Sequence, residues 1–472
     1  MRRLASLTAV ALVATVPALA PAARSDSQPH GTLRQLPGAK GCWVAKPTQG
    51  CGEYRVPARY EPAGLGLDRV AAVVASADGH RVYVAANPSS NLIAGFTRAR
   101  DGSLARIAGR RGCVVVGSSS CEPPIHQQRE ISALALSPDG RDLYATADYR
   151  YIQAVQAFGR VAGGGLRNAA HAGISCAGTR DGLLGTDRQN RCRLATILGQ
   201  PNDLVAGPQG RELYLAADSR VVILRRTRSG GVYAAGCVGA PGELLRKAPC
   251  EVARAMTGTT GVALSPDGHD VYVATEDGVA AFGRNTRDGT LTQLAGPAGC
   301  VTAAVTPGCA TGRALARSLD RARGGGSQVV VSPDGRNVYV SVRSGIAAFA
   351  RDRSTGALTQ LAGSAACIAE APQTGCVAGR ALRGIVDLAI SPDSASVYAA
   401  AYTSRAVAVL ERTASGALTQ AADAGGCIDA DGAGGCARAR AIGAATAIAI
   451  APDGRSVYVT SSDAGLAVFA RR

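Results

Sequence analysis

Aromatic residues and lysine are scarce in this sequence. Aromatics are 4% of its 472 residues, and Trp43 is the only tryptophan. A core filled by large rings is therefore excluded, and sheets packed through Ala, Val and Leu are expected. Lys40, Lys46 and Lys247 are the only lysines, so arginine carries nearly all of the positive charge behind the formal +16. The five histidines, His30, His80, His126, His171 and His269, stand too far apart in sequence to form a His-Glu-x-x-His helix. A nucleophile elbow of the Gly-x-Ser-x-Gly type and a phosphate loop are also missing. No Cys-x-x-Cys pair is present, which removes the usual zinc-site spacing.

Long hydrophobic runs are missing too, except at the start. Met-Arg-Arg precedes an apolar run from Leu4 to about Ala20, followed by small residues up to Ala23. A basic start, a short apolar segment and an Ala-x-Ala exit predict a secretory signal peptide over residues 1–23. Pro17 interrupts the run, which argues against a membrane anchor. Loss of Arg2 and Arg3 with this segment lowers the formal charge to +14.

What the chain does contain is a repeat. Seven residues after the serine slot of Ser-Pro-Asp-Gly stand Tyr83, Tyr144, Tyr214, Tyr272, Tyr339, Tyr398 and Tyr458. A Phe-x-Arg or Leu-x-Arg step follows each one, and all five phenylalanines fall in it. Each unit reads as four short strands, with Pro presetting φ and Gly providing the exit of the first turn. Seven four-stranded units of this kind predict an all-β, seven-bladed β-propeller spanning residues 31–472 as one domain. The last unit stops after its third strand at Arg472, and Gly31-Thr32-Leu33-Arg34-Gln35-Leu36 matches the missing fourth strand in register. The N-terminal segment is therefore expected to complete the last blade and close the ring.

The fourteen cysteines fall into seven repeat-local pairs: Cys42/Cys51, Cys113/Cys121, Cys176/Cys192, Cys237/Cys250, Cys300/Cys309, Cys367/Cys376 and Cys427/Cys436. An even count in an exported chain predicts disulfides, and the repeat supplies their connectivity. The expected location is secreted or extracytoplasmic. Each pair should sit after the fourth strand, in the connection to the next blade, and hold a long loop in one shape.

Repeats of the form Ser-Pro-Asp-Gly-x-x-Val-Tyr-Val, then Ala-Phe-x-Arg-Asp-x-x-Thr-Gly-x-Leu-Thr-Gln-Leu, resemble the YVTN-type and lactonase-like seven-bladed β-propeller proteins. The resemblance covers about Gly31 to Arg472 and implies the fold. It leaves activity open, because one propeller scaffold hosts many functions. The sequence shows no catalytic motif, so the leading expectation is a binding or envelope scaffold with an anionic ligand. A lactonase-like hydrolase or isomerase with a site at the channel mouth is the alternative.

Two sets of residues are candidates for a site. The first is the upper rim of the innermost strands, where Asp203 and Asp387 are the carboxylates; they could hold a divalent cation at the channel mouth, while no other cofactor is evident. The second is an arginine four residues after the second cysteine: Arg55, Arg254, Arg313, Arg380 and Arg440. Such a set either braces its loops or forms a positive arc around the channel mouth for an anionic glycan, a cell-envelope polymer, a carboxylated small molecule or a protein, with no specific nucleic acid implied. Arginine spread evenly over a solvated surface is the plainer reading of the charge.

Overall fold

The Ser-Pro-Asp-Gly turns open each blade by a local hydrogen-bond circuit. In the second copy, Ser137 Oγ donates to Asp139 Oδ1 (2.6 Å) and accepts from Asp142 N (2.9 Å), while Arg141 N donates to the same Asp139 oxygen (3.1 Å). The Gly that leaves the turn is left-handed, as at Gly335 (φ 71°); in the sixth copy Ser394 takes that place with φ 60°.

The computed structural model describes residues 31–472, except for 47–49, 59–60, 88–91, 116–117, 124–129, 150–151, 169–175, 179–191, 243–249, 316–326, 343 and 371–373. The expected signal segment lies outside the described residues. Seven sheets surround one axis, and the described residues contain no α-helix. The molecule is a seven-bladed β-propeller. A small hairpin, Arg55–Ala58 with Glu61–Gly66, stands on the connection into the first blade.

Blade five shows the pattern. Val329–Val331 is innermost, Asn337–Val342 comes second and Gly345–Arg351 third, all antiparallel. Side chains alternate between the two neighbouring blades. Val338 and Val340 pack with Tyr272, Ala274 and Val279 of blade four, whereas Tyr339 packs with Leu388, Val397 and Ala399 of blade six. The Val-Tyr-Val repeat therefore fills two interfaces at once.

The outer position departs from the four-strand expectation. Leu358–Gln360 pairs with one half of the third strand and Cys367–Ala369 with the other, separated by a 3-10 turn at Gly363–Ala366. Six blades share this broken outer strand; blade three instead runs unbroken through Val232–Gly239 with a bulge. Beyond it lies a fifth strand, Val377–Ala378, paired in parallel. A parallel neighbour normally needs a long crossover. Here the Cys367–Cys376 bridge fastens it, with the two Cα atoms 4.7 Å apart, the ordinary spacing of adjacent strands.

The cysteine pairing agrees with the repeat, but the expected role of the bridges does not. Cys42–Cys51, Cys113–Cys121, Cys237–Cys250, Cys300–Cys309, Cys367–Cys376 and Cys427–Cys436 are bonded, and no described cysteine is free. Cys176 stands opposite Cys192 in the parallel pair of blade two. The first member of each pair lies inside the outer strand rather than in the connection after it, as Cys42, Cys300 and Cys427 do in opening Cys42–Val44, Cys300–Thr302 and Cys427–Asp429. The second members abut the fifth strand. Cys51 precedes Gly52–Glu53, Cys250 precedes Glu251–Val252, Cys309 precedes Ala310–Thr311 and Cys436 precedes Ala437–Arg438, while Cys121 precedes the single parallel bridge from Glu122 to Val114. The bridges thus staple strand to strand and do not tether a loose loop, as had been expected of Cys51, Cys121, Cys250, Cys309 and Cys436. The reason is geometric: adjacent strands bring Cα atoms to the distance a disulfide spans.

Neighbouring blades are clamped by the arginine of the Phe-x-Arg step. Arg351 donates from Nε to Tyr272 Oη (2.9 Å), from Nη1 to Gly335 O (3.1 Å) and from Nη2 to Asp267 (2.8 Å) and Asp270. Tyr272 in turn donates to Gly356 O at 2.8 Å. The same arginine-to-tyrosine contact joins Arg98 to Tyr458, Arg160 to Tyr83, Arg284 to Tyr214, Arg412 to Tyr339 and Arg471 to Tyr398. Arg226 differs, bonding Asp139 and Asp142.

The ring closes as expected. Leu33 pairs with Arg471 and Gln35 with Phe469, and Tyr398 donates to Gly31 O at 2.7 Å. The lone tryptophan belongs to this seam, its ring 5.3 Å from Phe96 of the first blade. Deleting Gly31–Pro37 should therefore destabilise the propeller by about 5 kcal/mol, at about 1 kcal/mol per lost backbone bond. A chain starting at Gly31 should melt with the longer protein. Thermal melts of the two truncations decide this, and equal melting temperatures would contradict the closure.

Each bridge closes a short loop and contributes about 2 to 3 kcal/mol. Peptide mapping without reduction should recover every pair within its own blade. A bridge between two blades would contradict the pairing.

Candidate functional site

The innermost strands of all seven blades line an axial channel with a cavity of about 390 Å³. Its wall is mostly Ala, Val and Leu, because strands converging on the axis leave no room for large side chains. Several polar side chains in or beside the wall are engaged between blades. Ser132 donates to Pro201 O (2.9 Å), Asn202 to Thr259 O (2.8 Å), Thr260 to Ser327 O (2.5 Å) and Thr446 to Val70 O (2.7 Å).

Asp203 and Asp387 belong to the same scheme. Asp203 accepts from Leu204 N (2.8 Å) and, in the next blade, from Val262 N (2.9 Å); Asp387 accepts from Leu388 N and Ile448 N, both at 2.8 Å. Each sits at a register shift in its innermost strand, which turns the carboxylate toward the neighbouring backbone. Burial raises both carboxyls, against the pull of these N–H donors; with Asp203 adding repulsion, Asp387 reaches about 7. Among the described residues, no group of three or more His, Cys, Asp or Glu is placed to hold a metal ion. The two aspartates are the charged ligands a cation would meet in this cavity.

The loop arginines lie elsewhere. Arg313 donates through Nη2 to Gly363 O (3.0 Å), at the 3-10 turn in the outer strand of the next blade. Its backbone is held both ways by Gln360, which accepts from Arg313 N (2.8 Å) and donates to Arg313 O (2.7 Å). The same arginine-glutamine latch pairs Arg254 with Gln293, Arg380 with Gln420 and Arg440 with Gln35. Arg55 lacks a glutamine partner; it donates to Ala45 O (3.0 Å) and pairs with Glu53 at 3.4 Å.

These latches join outer strands, so the arginines stand on the perimeter and not in an arc at the channel mouth. They brace their loops, and their partners are mostly carbonyls rather than carboxylates, so most of the charge is not cancelled. Arg440 also borders a second cavity, of about 920 Å³, together with Arg438, Lys46, Asp68 and Asp463.

His80 and His269 are exposed beside the first turns, while His30, His126 and His171 lie outside the described residues. One further set is visible only once the turns are aligned in space. The residue after the turn glycine is basic in six blades: His80, Arg141, Arg211, His269, Arg336 and Arg455.

No family model and no curated protein matches the chain. Among solved structures, it resembles the Pseudomonas aeruginosa periplasmic gluconolactonase PpgL, with a TM-score of 0.50 and 16% identity over 83% of this chain and 94% of that one. A Bacteroides uniformis protein provisionally named as a 6-phosphogluconolactonase gives 0.48 and 19% identity, over 75% and 85%. Hydrazine synthase of Kuenenia stuttgartiensis gives 0.48 and 11%, over 88% and 98%. At these identities the likeness is one of fold.

Asp387 supplies a test of the channel description. A carboxyl raised in the folded state keeps a proton that the unfolded chain has lost, so stability falls as pH rises from about 4 to about 7. The cost reaches at most about 4 kcal/mol above that range. Asp387→Asn should flatten this slope in denaturant titrations at pH 5 and pH 8. An unchanged slope would place the aspartate in water.

Proposed function

We propose that this chain is an extracytoplasmic binding scaffold, a YVTN-type propeller whose partner is anionic. The observation that carries this reading is where the acids are. Asp78, Asp139, Asp267, Asp334, Asp393 and Asp453 each pair with a clamp arginine between blades, as do Asp142, Glu212 and Asp270. Nine of the 35 acidic residues are thereby matched at blade interfaces. An excess of arginine faces solvent. Its field attracts anions and is screened over about 10 Å at 0.1 M salt. Six described disulfides and the expected signal segment support an exported location. No described helix is long and apolar enough to cross a membrane.

The second reading is a lactonase-like hydrolase. It is favoured by Asp387, whose carboxyl lies near neutrality as a general base should. One experiment separates the two. Purified protein should bind an immobilised polyanion at low salt, release from it as salt rises, and leave a panel of aldonolactones unhydrolysed. Lactone hydrolysis above background that falls at least about a hundredfold in Asp387→Asn, the usual scale of lost acid–base catalysis, would displace the scaffold reading.

A further inference from the structure

Four arginines directly follow the glycine that ends a first turn: Arg141, Arg211, Arg336 and Arg455, in blades two, three, five and seven. All four are exposed, and none makes a side-chain hydrogen bond or ion pair among the described residues. Their position is fixed. Each stands at the start of a second strand, and in most copies its N–H, or that of the equivalent histidine, is tied to the turn aspartate, as from Arg336 to Asp334 at 3.1 Å and from Arg455 to Asp453 at 3.0 Å.

The turns surround one mouth of the channel, and Pro333, three residues before Arg336, is part of the channel wall. The turn aspartates cancel only part of this charge, because each is shared with a clamp arginine. Burial alone would raise Asp267, but donors from Ser265, His269 N and Arg351 outweigh it and bring the carboxyl to about 2. His80 and His269 extend the set to blades one and four, and Ala395 breaks it in blade six.

Farther out on this face are Arg100, Arg228, Arg287 and Arg353, all exposed. Asp101, Asp288 and Asp352 stand beside three of them, each accepting from its own turn. The opposite face is mixed in charge: its turns carry Asp218, Glu276, Asp277 and Asp463 among the basic residues.

We propose that the ring formed by Arg141, Arg211, Arg336 and Arg455 is the docking surface for a carboxylated polysaccharide. This rests on the anionic-partner reading above and assigns it a face and a substrate class. Guanidinium forks match carboxylates in two-bond geometry. Cations on four separate blades around a circle suit an extended polymer with repeated charge, because side chains on separate blades do not converge on one small anion. Nucleic acid would want stacking rings and a membrane would want apolar wedges. Among the described residues the only large apolar side chains that are exposed are Val252 and Val305.

The test is binding of the full mature chain to polygalacturonate at about 0.1 M salt, with neutral dextran as blank and single-stranded DNA and anionic phosphatidylglycerol vesicles as competitors. Replacing all four arginines with glutamine should weaken binding about tenfold or more, while Arg34, Arg69, Arg111 and Arg193→Gln, which removes the same charge elsewhere, should change it less than about threefold. Ala395→Arg fills the gap in blade six and should tighten binding about twofold to threefold, a readout that loss of folding cannot imitate. If the two quadruple variants weaken binding equally, the ring is not the site although the anionic partner stands. If the unaltered protein binds no polyanion at all, the scaffold reading itself is wrong. Stronger binding to DNA or to vesicles than to polygalacturonate overturns the assignment of the partner.

Discussion

Everything in this molecule depends on a charged group held between sheets. The side chain of Arg351 is wholly buried, a position that costs several kcal/mol unless its donors are met. Tyr272, Gly335, Asp267 and Asp270 meet them, and all four belong to two adjacent blades. The clamp therefore forms only when one blade docks on the next at the correct height and angle. Apolar packing between flat Ala and Val faces is tolerant of sliding, whereas a guanidinium with fixed donor directions is not. Repeated round the ring, the clamp sets the angle from blade to blade, and the N-terminal strand closes the turn that this angle generates.

The same interaction shapes the surface. Each clamp pairs one or two carboxylates at the blade interface with an arginine that is largely buried. What remains outside is a surplus of arginine over acid. A chain-wide excess of positive charge is thus sorted by the fold, and the face bearing the Asp-Gly turns receives a regular portion of it. Arg98, Arg284 and Arg351 share that face, yet they are inside the clamps and contribute little outward field.

Much of the architecture was legible because it repeats. The tyrosine spacing located seven blades, the Phe-x-Arg step located the third strands, and the match of Gly31–Leu36 to Gly356–Leu361 identified the closing strand. The broken outer strand was not legible. Its 3-10 turns read Gly-Pro-Ala-Gly, Gly-Ser-Ala-Ala and Ala-Gly-Gly, each ending just before the first cysteine of its pair, but three or four small residues of differing identity do not announce a break. The two-residue parallel strands are too short to show any period, so the cysteines beside them read as loop residues. Of the candidate site, Asp203 and Asp387 line the channel wall, but the loop arginines were expected at its mouth and stand on the perimeter. The missing information was the partner: Gln35, Gln293, Gln360 and Gln420 lie in a neighbouring unit, and a repeat read one unit at a time does not reveal contacts between units.

The stapled fifth strand has a consequence for how this protein can meet others of its kind. An open outer edge would offer unpaired backbone groups to any extended chain, and a seven-bladed disc would offer seven such sites. Here each outermost strand is very short, and in the described blades a covalent bridge anchors it, so an incoming strand finds almost no ladder to extend. The circumference is therefore closed to growth by strand addition. Contact between two rims has to rest on side chains alone, with almost no backbone ladder to reinforce it.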